Sequence, residues 1–160
     1  MHLASLLATD RIIPAMRACG HMDAIRELVD QLVASGALAT ELHAEILDQL
    51  IAREEFVSTG IGGGVAIPHA FSDHVAQVTA VLGRSPGGID FEALDHAPVH
   101  LVVLFLVPKK DYQSHLRMLA AIAKMFANTT IRQRIAEAFT PEEILTALGT
   151  KPSRATARNA

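Results

Sequence analysis

A histidine stands at the end of a glycine-rich stretch, residues 58–70, which reads STGIGGGVAIPHA. Pro68 directly precedes His69 and fixes the backbone there. An imidazole can be a metal ligand, an acid–base group, a nucleophile or a packing residue. We expect Pro68 to end a short strand, so that His69 lies near the surface at a strand end, where functional groups are common in α/β sheets. An ordinary, partly exposed loop histidine is the competing interpretation.

The glycines before this histidine do not match the known nucleotide-binding fingerprints. A Walker A loop needs a lysine after its glycines, and Val65 follows Gly64. A dinucleotide fingerprint needs a strand before the glycines and a helix after them, whereas this sequence predicts the reverse order. Gly60, Gly62 and Gly63 therefore indicate a backbone that closely approaches a ligand or a partner protein.

Two further residues could help His69 to bind an anion. Arg53 ends a predicted amphipathic helix just before the glycine stretch, and its planar guanidinium suits phosphate oxygens. His115 lies in the first turn of another predicted helix, at the edge of its apolar stripe. Each has a simpler interpretation, because a helix-end arginine often balances the helix dipole and a lone histidine is often a packing residue. The three form an anion site only if the fold brings them together.

The spacing of the histidines does not indicate a metal. A zinc site from His69, His100 and His115 is conceivable, but these three are not spaced as HxH or HxxxH pairs. Cys19 is the single cysteine, so it has no partner for an intramolecular disulfide. We expect neither a metal nor a cofactor.

Composition predicts one folded domain in the cytoplasm. The chain has 160 residues, half of them hydrophobic, and a formal net charge of -3. This weakly acidic balance argues against non-specific nucleic-acid binding. The longest apolar run, residues 101–107, is too short to span a bilayer, and the N-terminus lacks a signal-peptide pattern, so we expect no membrane insertion.

Hydrophobic periodicity predicts two helices, then several strands, then three helices. The predicted helices cover residues 23–34, 40–55, 112–127, 129–139 and 140–149, and the strands cover 11–16, 65–69, 75–85 and 99–108. We expect Asp23, Thr40 and Thr140 to cap helices, and Thr130 with Gln133 to form a capping box. The fold class is α/β, a single domain with a small mixed β-sheet flanked by helices on both faces. We assign residues 1–150 to this domain and residues 151–160 to a disordered tail.

Three segments together resemble a known family. REEFVSTGIGGGVAIPHA, residues 53–70, resembles the active-site signature of the type-2 IIA proteins of the bacterial phosphotransferase system, the fructose/mannitol and nitrogen-regulatory class. Residues 88–108 are similar to the glycine turn, aspartate and central strand of that family. Residues 115–126 are similar to its second-histidine helix. The resemblance covers roughly residues 5 to 150, in matching order.

The resemblance implies a phosphohistidine carrier that works without a metal or nucleotide. It places His69 at the phosphorylated histidine, Arg53 beside the phosphate and His115 at the second active-site histidine. It also implies an HPr-type phosphocarrier as donor, and a IIB domain or a regulatory target as acceptor.

The partners of such a carrier are proteins, so we expect a docking rim that contains the glycines of residues 60–64. Ile61 and Phe71 are the apolar residues expected in that rim, whereas Val65 is expected to pack inside.

Two functions remain open at this point. In one, the chain is a nitrogen-regulatory-type protein whose phosphorylation switches its binding to other proteins. In the other, it serves fructose/mannitol-type sugar uptake and passes phosphate to a IIB partner. A single IIA domain with no fused IIB or IIC domain favours the regulator.

Overall fold

The computed structural model describes residues 2–149. Its helices are α1 Leu3–Leu6, α2 His21–Ala34, α3 His43–Phe56, α4 Tyr112–Ala127, α5 Thr129–Glu137 and α6 Pro141–Gly149. Its strands are β1 Ile12–Ile13, β2 Gly60–Gly62, β3 Val65–Ala66, β4 His69–Ser72, β5 Thr79–Ile89 and β6 Val99–Pro108. Short 3₁₀ turns cover Thr9–Arg11 and Thr40–Leu42. The predicted tail, residues 151–160, lies outside the described residues.

The sheet is mixed and is built around β6. Its strand order is β1-β5-β6-β3-β2, with β4 also paired to β6. Strand β5 runs antiparallel to β6, whereas β3 and β4 run parallel to it. Strand β6 is buried along most of its length, which explains why its sequence is an unbroken apolar run rather than an alternating one.

Helices cover both faces of this sheet, which confirms the predicted fold class. One core packs α2 and α3 against alternate residues of β6, including Val102 and Leu104. The other core packs α1, α4, α5 and α6 against the opposite set, including Val103 and Phe105. This alternation places the side chains of β6 on two separate faces, because successive residues of a strand point to opposite sides.

Helix caps show where local sequence rules held and where they failed. Thr140 caps α6 as predicted, because its Oγ1 accepts a hydrogen bond from the Glu143 backbone N–H at 3.1 Å. Helix α2 begins at His21, so Asp23 lies in its first turn and is not its cap. Helix α5 is capped by Asn128, whose side-chain oxygen accepts from the backbone N–H groups of two first-turn residues. The predicted Thr130–Gln133 capping box is therefore wrong, because a better cap precedes it by two positions.

Two boundaries also differ from the prediction. Thr40 makes no side-chain cap, because it is the first residue of a 3₁₀ turn that precedes α3, which begins at His43. Strand β5 starts at Thr79 and continues to Ile89, through a segment predicted as a turn. The pairing of Ile89 with Val99 keeps this segment in the sheet, and a register irregularity accommodates its proline and glycines.

Among the described helices, none combines the length and the apolar character that crossing a bilayer requires.

Candidate functional site

Pro68 interrupts the pairing along β6 without shifting its register. Ala66 of β3 pairs with Val102, and three residues later on both strands His69 of β4 pairs with Phe105. Proline has no N–H to donate to the ladder, so pairing is interrupted on its donor side only: the Pro68 carbonyl oxygen still accepts from the Phe105 N–H at 3.1 Å, and pairing resumes at His69. The predicted strand over residues 65–69 is therefore two strands: β3 ends at Ala66, before Pro68, and His69 lies at a strand end, as predicted, because it is the first residue of β4.

The backbone of Ile67 and the ring of Phe105 orient the His69 ring. Its Nδ1 lies 2.8 Å from the Ile67 carbonyl oxygen. A carbonyl oxygen can only accept, so Nδ1 carries the hydrogen, and Nε2 of the neutral ring keeps its lone pair. The half-buried ring also stacks on Phe105, with 5.0 Å between centroids and 13° between planes. Backbone and side chain together hold the ring in one orientation.

Helix α4 brings His115 to His69. Asp111 caps this helix by accepting hydrogen bonds from the backbone N–H and the hydroxyl of Ser114, which also lower the pKa of the Asp111 carboxyl. The His115 ring is buried one residue further on, and its centroid lies 4.8 Å from that of His69. Phe71 and Tyr112 pack around it, with ring centroids 4.8 and 5.5 Å from that of His115.

Arg53 reaches the same site from the other side of the sheet. It lies in the last turn of α3, which packs against β4, and its Nη1 donates to the Val57 carbonyl oxygen at 2.7 Å. Its positive charge is close enough to His69 to be one of the causes that lower the pKa of that ring. The structure thus brings His69 and His115 into contact and places the charge of Arg53 within electrostatic range of His69, which the sequence pattern did not show by itself.

The environment keeps both histidines neutral. Burial is the largest cause that lowers the pKa of His69 below 6.5, and repulsion from His115 in its protonated form and from the Arg53 charge adds to it. The Ile67 hydrogen bond and the charge of Glu54 act in the opposite direction but do not reverse the shift. Burial also lowers the pKa of His115. At neutral pH the Nε2 lone pair of His69 is therefore available to react.

Glu54 is a functional residue that the sequence prediction missed. It is 2% exposed, and its carboxylate accepts hydrogen bonds from the Thr59 backbone N–H, from the Thr59 hydroxyl at 2.6 Å, and from His21 Nδ1 at 3.0 Å. These bonds tie α3 to the start of α2 and to the beginning of the glycine stretch. Its position four residues after Leu50, on the buried stripe of α3, is the signal that could have found it.

The glycine stretch has two structural roles. Gly62, Gly63 and Gly64 have φ values of 90°, 65° and 80°, where residues with a Cβ are strained. Gly60 is buried, and a Cβ there would lie 2.8 Å from that of Ala93, so its lack of a side chain serves packing. Of the two apolar residues predicted in the rim, Ile61 is exposed and Phe71 is half-buried against the ring of His115.

The third histidine of the conceivable zinc site lies elsewhere. His100 is near the opposite end of β6, where its Nδ1 donates to the Ser85 carbonyl oxygen at 2.9 Å. Within residues 2–149, no group of three histidine, cysteine or acidic side chains is arranged to hold a metal ion.

Comparison with known proteins identifies the family to which the chain belongs. The model of "Phosphoenolpyruvate-dependent sugar phosphotransferase system, EIIA 2" matches residues 5–150. A fructose-specific EIIA component from Haloferax volcanii is 37% identical over 115 residues, covering 72% of this chain and 73% of that protein. A nitrogen regulatory protein from Bradyrhizobium diazoefficiens is 29% identical over 155 residues, covering 97% of this chain and 99% of that protein.

Solved structures show the same fold. The nitrogen regulatory protein IIA-Ntr from Neisseria meningitidis superposes with a TM-score of 0.81 at 31% identity, covering 91% of this chain and 98% of that one. IIA mannitol in its complex with phosphorylated IIB mannitol, from Escherichia coli, gives a TM-score of 0.76 at 21% identity, covering 91% and 98%. The chain belongs to the type-2 EIIA family of the phosphoenolpyruvate-dependent sugar phosphotransferase system.

Proposed function

We propose that this protein is a phosphohistidine carrier in which Nε2 of His69 accepts a phosphoryl group from an HPr-type donor. The observation that carries the proposal is the hydrogen bond from Nδ1 to the Ile67 carbonyl oxygen. It directs the proton to one nitrogen and leaves the lone pair on the other, on a ring whose pKa is already lowered.

The transfer balances without any further reactant. The N–P bond of the donor's phosphohistidine breaks, the donor ring takes its electron pair, and a new N–P bond forms at Nε2 of His69. His69 keeps its Nδ1 proton, so positive charge develops on its ring, and the Ile67 carbonyl oxygen stabilises that charge. The reaction exchanges one phosphoimidazole for another, so it is readily reversible and suits a carrier.

Arg53 and His115 supply the electrostatic stabilisation. The guanidinium of Arg53 neutralises the non-bridging oxygens of the transferred group. Nδ1 of His115 is buried and has no hydrogen-bond partner among the described residues. A hydrogen bond from that nitrogen to a phosphoryl oxygen would satisfy it, at a position next to the His69 ring.

Exposed apolar side chains close to these residues in sequence offer a docking surface for the protein partners. Phe56 and Val57 follow the Arg53–Glu54 pair, and Ile61 lies in the glycine stretch. Their exposed fractions are 85%, 50% and 43%. Exposed apolar residues that form one contiguous patch usually mark a partner's binding site.

Within this family we propose the nitrogen-regulatory type, in which phosphorylation of His69 switches binding to a regulatory target. The likeness to the Bradyrhizobium protein extends over nearly the full length of both chains, and IIA-Ntr of Neisseria has the same fold at 31% identity. The alternative is fructose/mannitol-type uptake, in which a IIB domain is the acceptor. The 37% identity to the Haloferax fructose-specific component supports that alternative.

Incubation with phosphorylated HPr tests the carrier role. We expect the wild-type chain to gain one phosphate, His69→Ala to gain none, and His115→Ala to gain it more slowly. His100→Ala, which removes an exposed histidine at the other end of β6, is the matched control and should be labelled like the wild type. Undiminished labelling of His69→Ala would overturn the assignment of the acceptor.

A second incubation separates the two types. The phosphorylated chain is mixed with a purified fructose-specific IIB domain, and the label on each protein is followed over time. Retention of the label on this chain supports the regulatory type. Transfer to IIB as fast as phosphate arrives from HPr would favour sugar uptake instead.

A further inference from the structure

A second candidate site lies away from His69, towards the other end of β6. A cleft of about 510 Å³ opens between the sheet and α5. Its lining includes Gly63 and Gly64, Arg84 of β5, His100 of β6 and Arg132 of α5. This volume falls in the range of small-molecule sites. The proposed phosphoryl transfer uses none of these side chains.

The charged groups in the cleft are of one sign. Its lining contains two arginines and no aspartate or glutamate. Arg84 is 7% exposed and donates to the carbonyl oxygens of Pro14 and Ala136, at 3.1 and 2.6 Å. It also lies 5.5 Å from the centroid of the Phe139 ring. All these partners are neutral, and no ion pair among residues 2–149 includes Arg84. A buried cation without a counterion is costly, so this position favours an anion.

Arg132 adds an unused donor. Its Nη1 donates to the Gly63 carbonyl oxygen at a long 3.3 Å, and its Nε is buried without a hydrogen-bond partner in the described part of the chain. The remaining walls are largely apolar and include Val65, Leu101 and Ile135. An oxyanion held by the arginines, with an apolar body against these walls, would satisfy both kinds of surface.

We infer that this cleft is a binding site for a small organic anion, with one carboxylate or phosphate-ester group and an apolar body. The inference concerns reversible binding and does not depend on phosphoryl transfer at His69. The shared chemistry is an oxyanion beside an apolar group, and the two possible head groups are separated by the test.

The test uses phenyl phosphate and benzoate as probes, with benzamide as the neutral probe of matched shape. Binding to the full chain is followed by backbone amide NMR shifts. We expect at least one of the two anions to shift the amides of Gly64, Leu101 and Gln133, which line the cleft, and the stronger of the two identifies the preferred head group. Benzamide should bind about tenfold or more weakly than the stronger anion, because it makes no charge-assisted hydrogen bond.

Arg132→Gln is the diagnostic variant, because Arg132 is half-buried and bonds one carbonyl oxygen, whereas Arg84 also ties Pro14 and Ala136 into the fold. It should weaken binding of the stronger anion about tenfold or more. Arg26→Gln, an exposed arginine on α2 that does not line the cleft, should leave binding unchanged. Equal binding of benzamide, full binding by Arg132→Gln, or shifts confined to the surroundings of His69 such as Phe71 would each overturn the inference.

Discussion

The charged groups around the two ends of β6 differ. Near His69, one arginine stands beside two histidines with lowered pKa values, and the buried carboxylate of Glu54 is close enough to affect the His69 ring. Near His100, Arg84 and Arg132 face a cleft whose lining has no acidic side chain. Both regions suit anions, but they differ in where the opposing carboxylate lies: Glu54 acts on the His69 ring itself, whereas Asp95 lies outside the cleft lining and accepts a hydrogen bond from the Gly63 N–H.

This difference corresponds to two kinds of anion chemistry. A carrier must release its phosphoryl group as easily as it accepts it, so strong ground-state binding at His69 would slow the next transfer. Moderate positive charge beside a neutral nucleophile meets that requirement. Two arginines with no acidic side chain in the cleft lining instead favour an anion that binds reversibly and does not react. The glycine stretch connects the regions, because Gly63 and Gly64 line the cleft a few residues before His69.

The largest expected effect is from the arginine at the His69 end. Arg53→Gln should lower the rate of phosphoryl transfer from phosphorylated HPr about 100-fold, because it removes one charged donor to the transferred group. Arg132→Gln should change that rate less than about threefold, since the cleft arginine does not face the phosphoryl group. Single-turnover labelling measures both. Equal losses in the two variants would show that the regions are not separate.

Glu54→Gln should reduce the free energy of unfolding by about 2 kcal/mol, because it weakens charge-assisted hydrogen bonds from Thr59 and His21 to a buried carboxylate. Glu55→Gln, at the neighbouring exposed position, should stay within about 0.5 kcal/mol of the wild type. Urea denaturation of both variants gives the comparison. An undiminished stability of Glu54→Gln would mean that the glycine stretch is held by other contacts.

The pH dependence of transfer sharpens the description of the His69 end. The proposed nucleophile is the neutral ring and its pKa is lowered, so the rate should keep more than half of its plateau value at pH 6.5 and fall about tenfold per unit only at pH values well below the pKa. NMR titration of the His69 ring should place its pKa below 6.5, with the urea-unfolded chain near 6.5 as reference. In Glu54→Gln this pKa should fall further, because the Glu54 charge raises it. A midpoint at or above 6.5 in the folded protein contradicts the lowered pKa of His69.

Much of the His69 region could be predicted from sequence, because its signals are local. The STGIGGGVAIPH motif, the Arg53 position and the helix that bears His115 are each contiguous patterns. The apolar run of β6 likewise predicted the central strand. The second strand that begins at His69 could not be predicted, because it depends on pairing with Phe105, which is distant in sequence.

The cleft gave no such signal. Arg84, His100 and Arg132 belong to three elements, and no motif links them. An arginine in a predicted strand is also expected to lie on the surface. Only the fold shows that Arg84 is buried and bonds the carbonyl oxygens of Pro14 and Ala136. Asn128 was missed for a related reason. Asn128 and Thr130 are both residue types that cap helices, they lie two positions apart, and only the backbone geometry selects between them.

The contact that fixes the His69 tautomer is made to the main chain. Every residue has a backbone carbonyl, so no side-chain substitution at Ile67 can delete this acceptor. Mutations can remove it only by changing the path of the backbone at Ile67. Pro68 restricts that path, so a substitution at Pro68 is the change that would move this carbonyl oxygen. The choice of reactive nitrogen is therefore insulated from most of the sequence variation that the surrounding surface can accumulate.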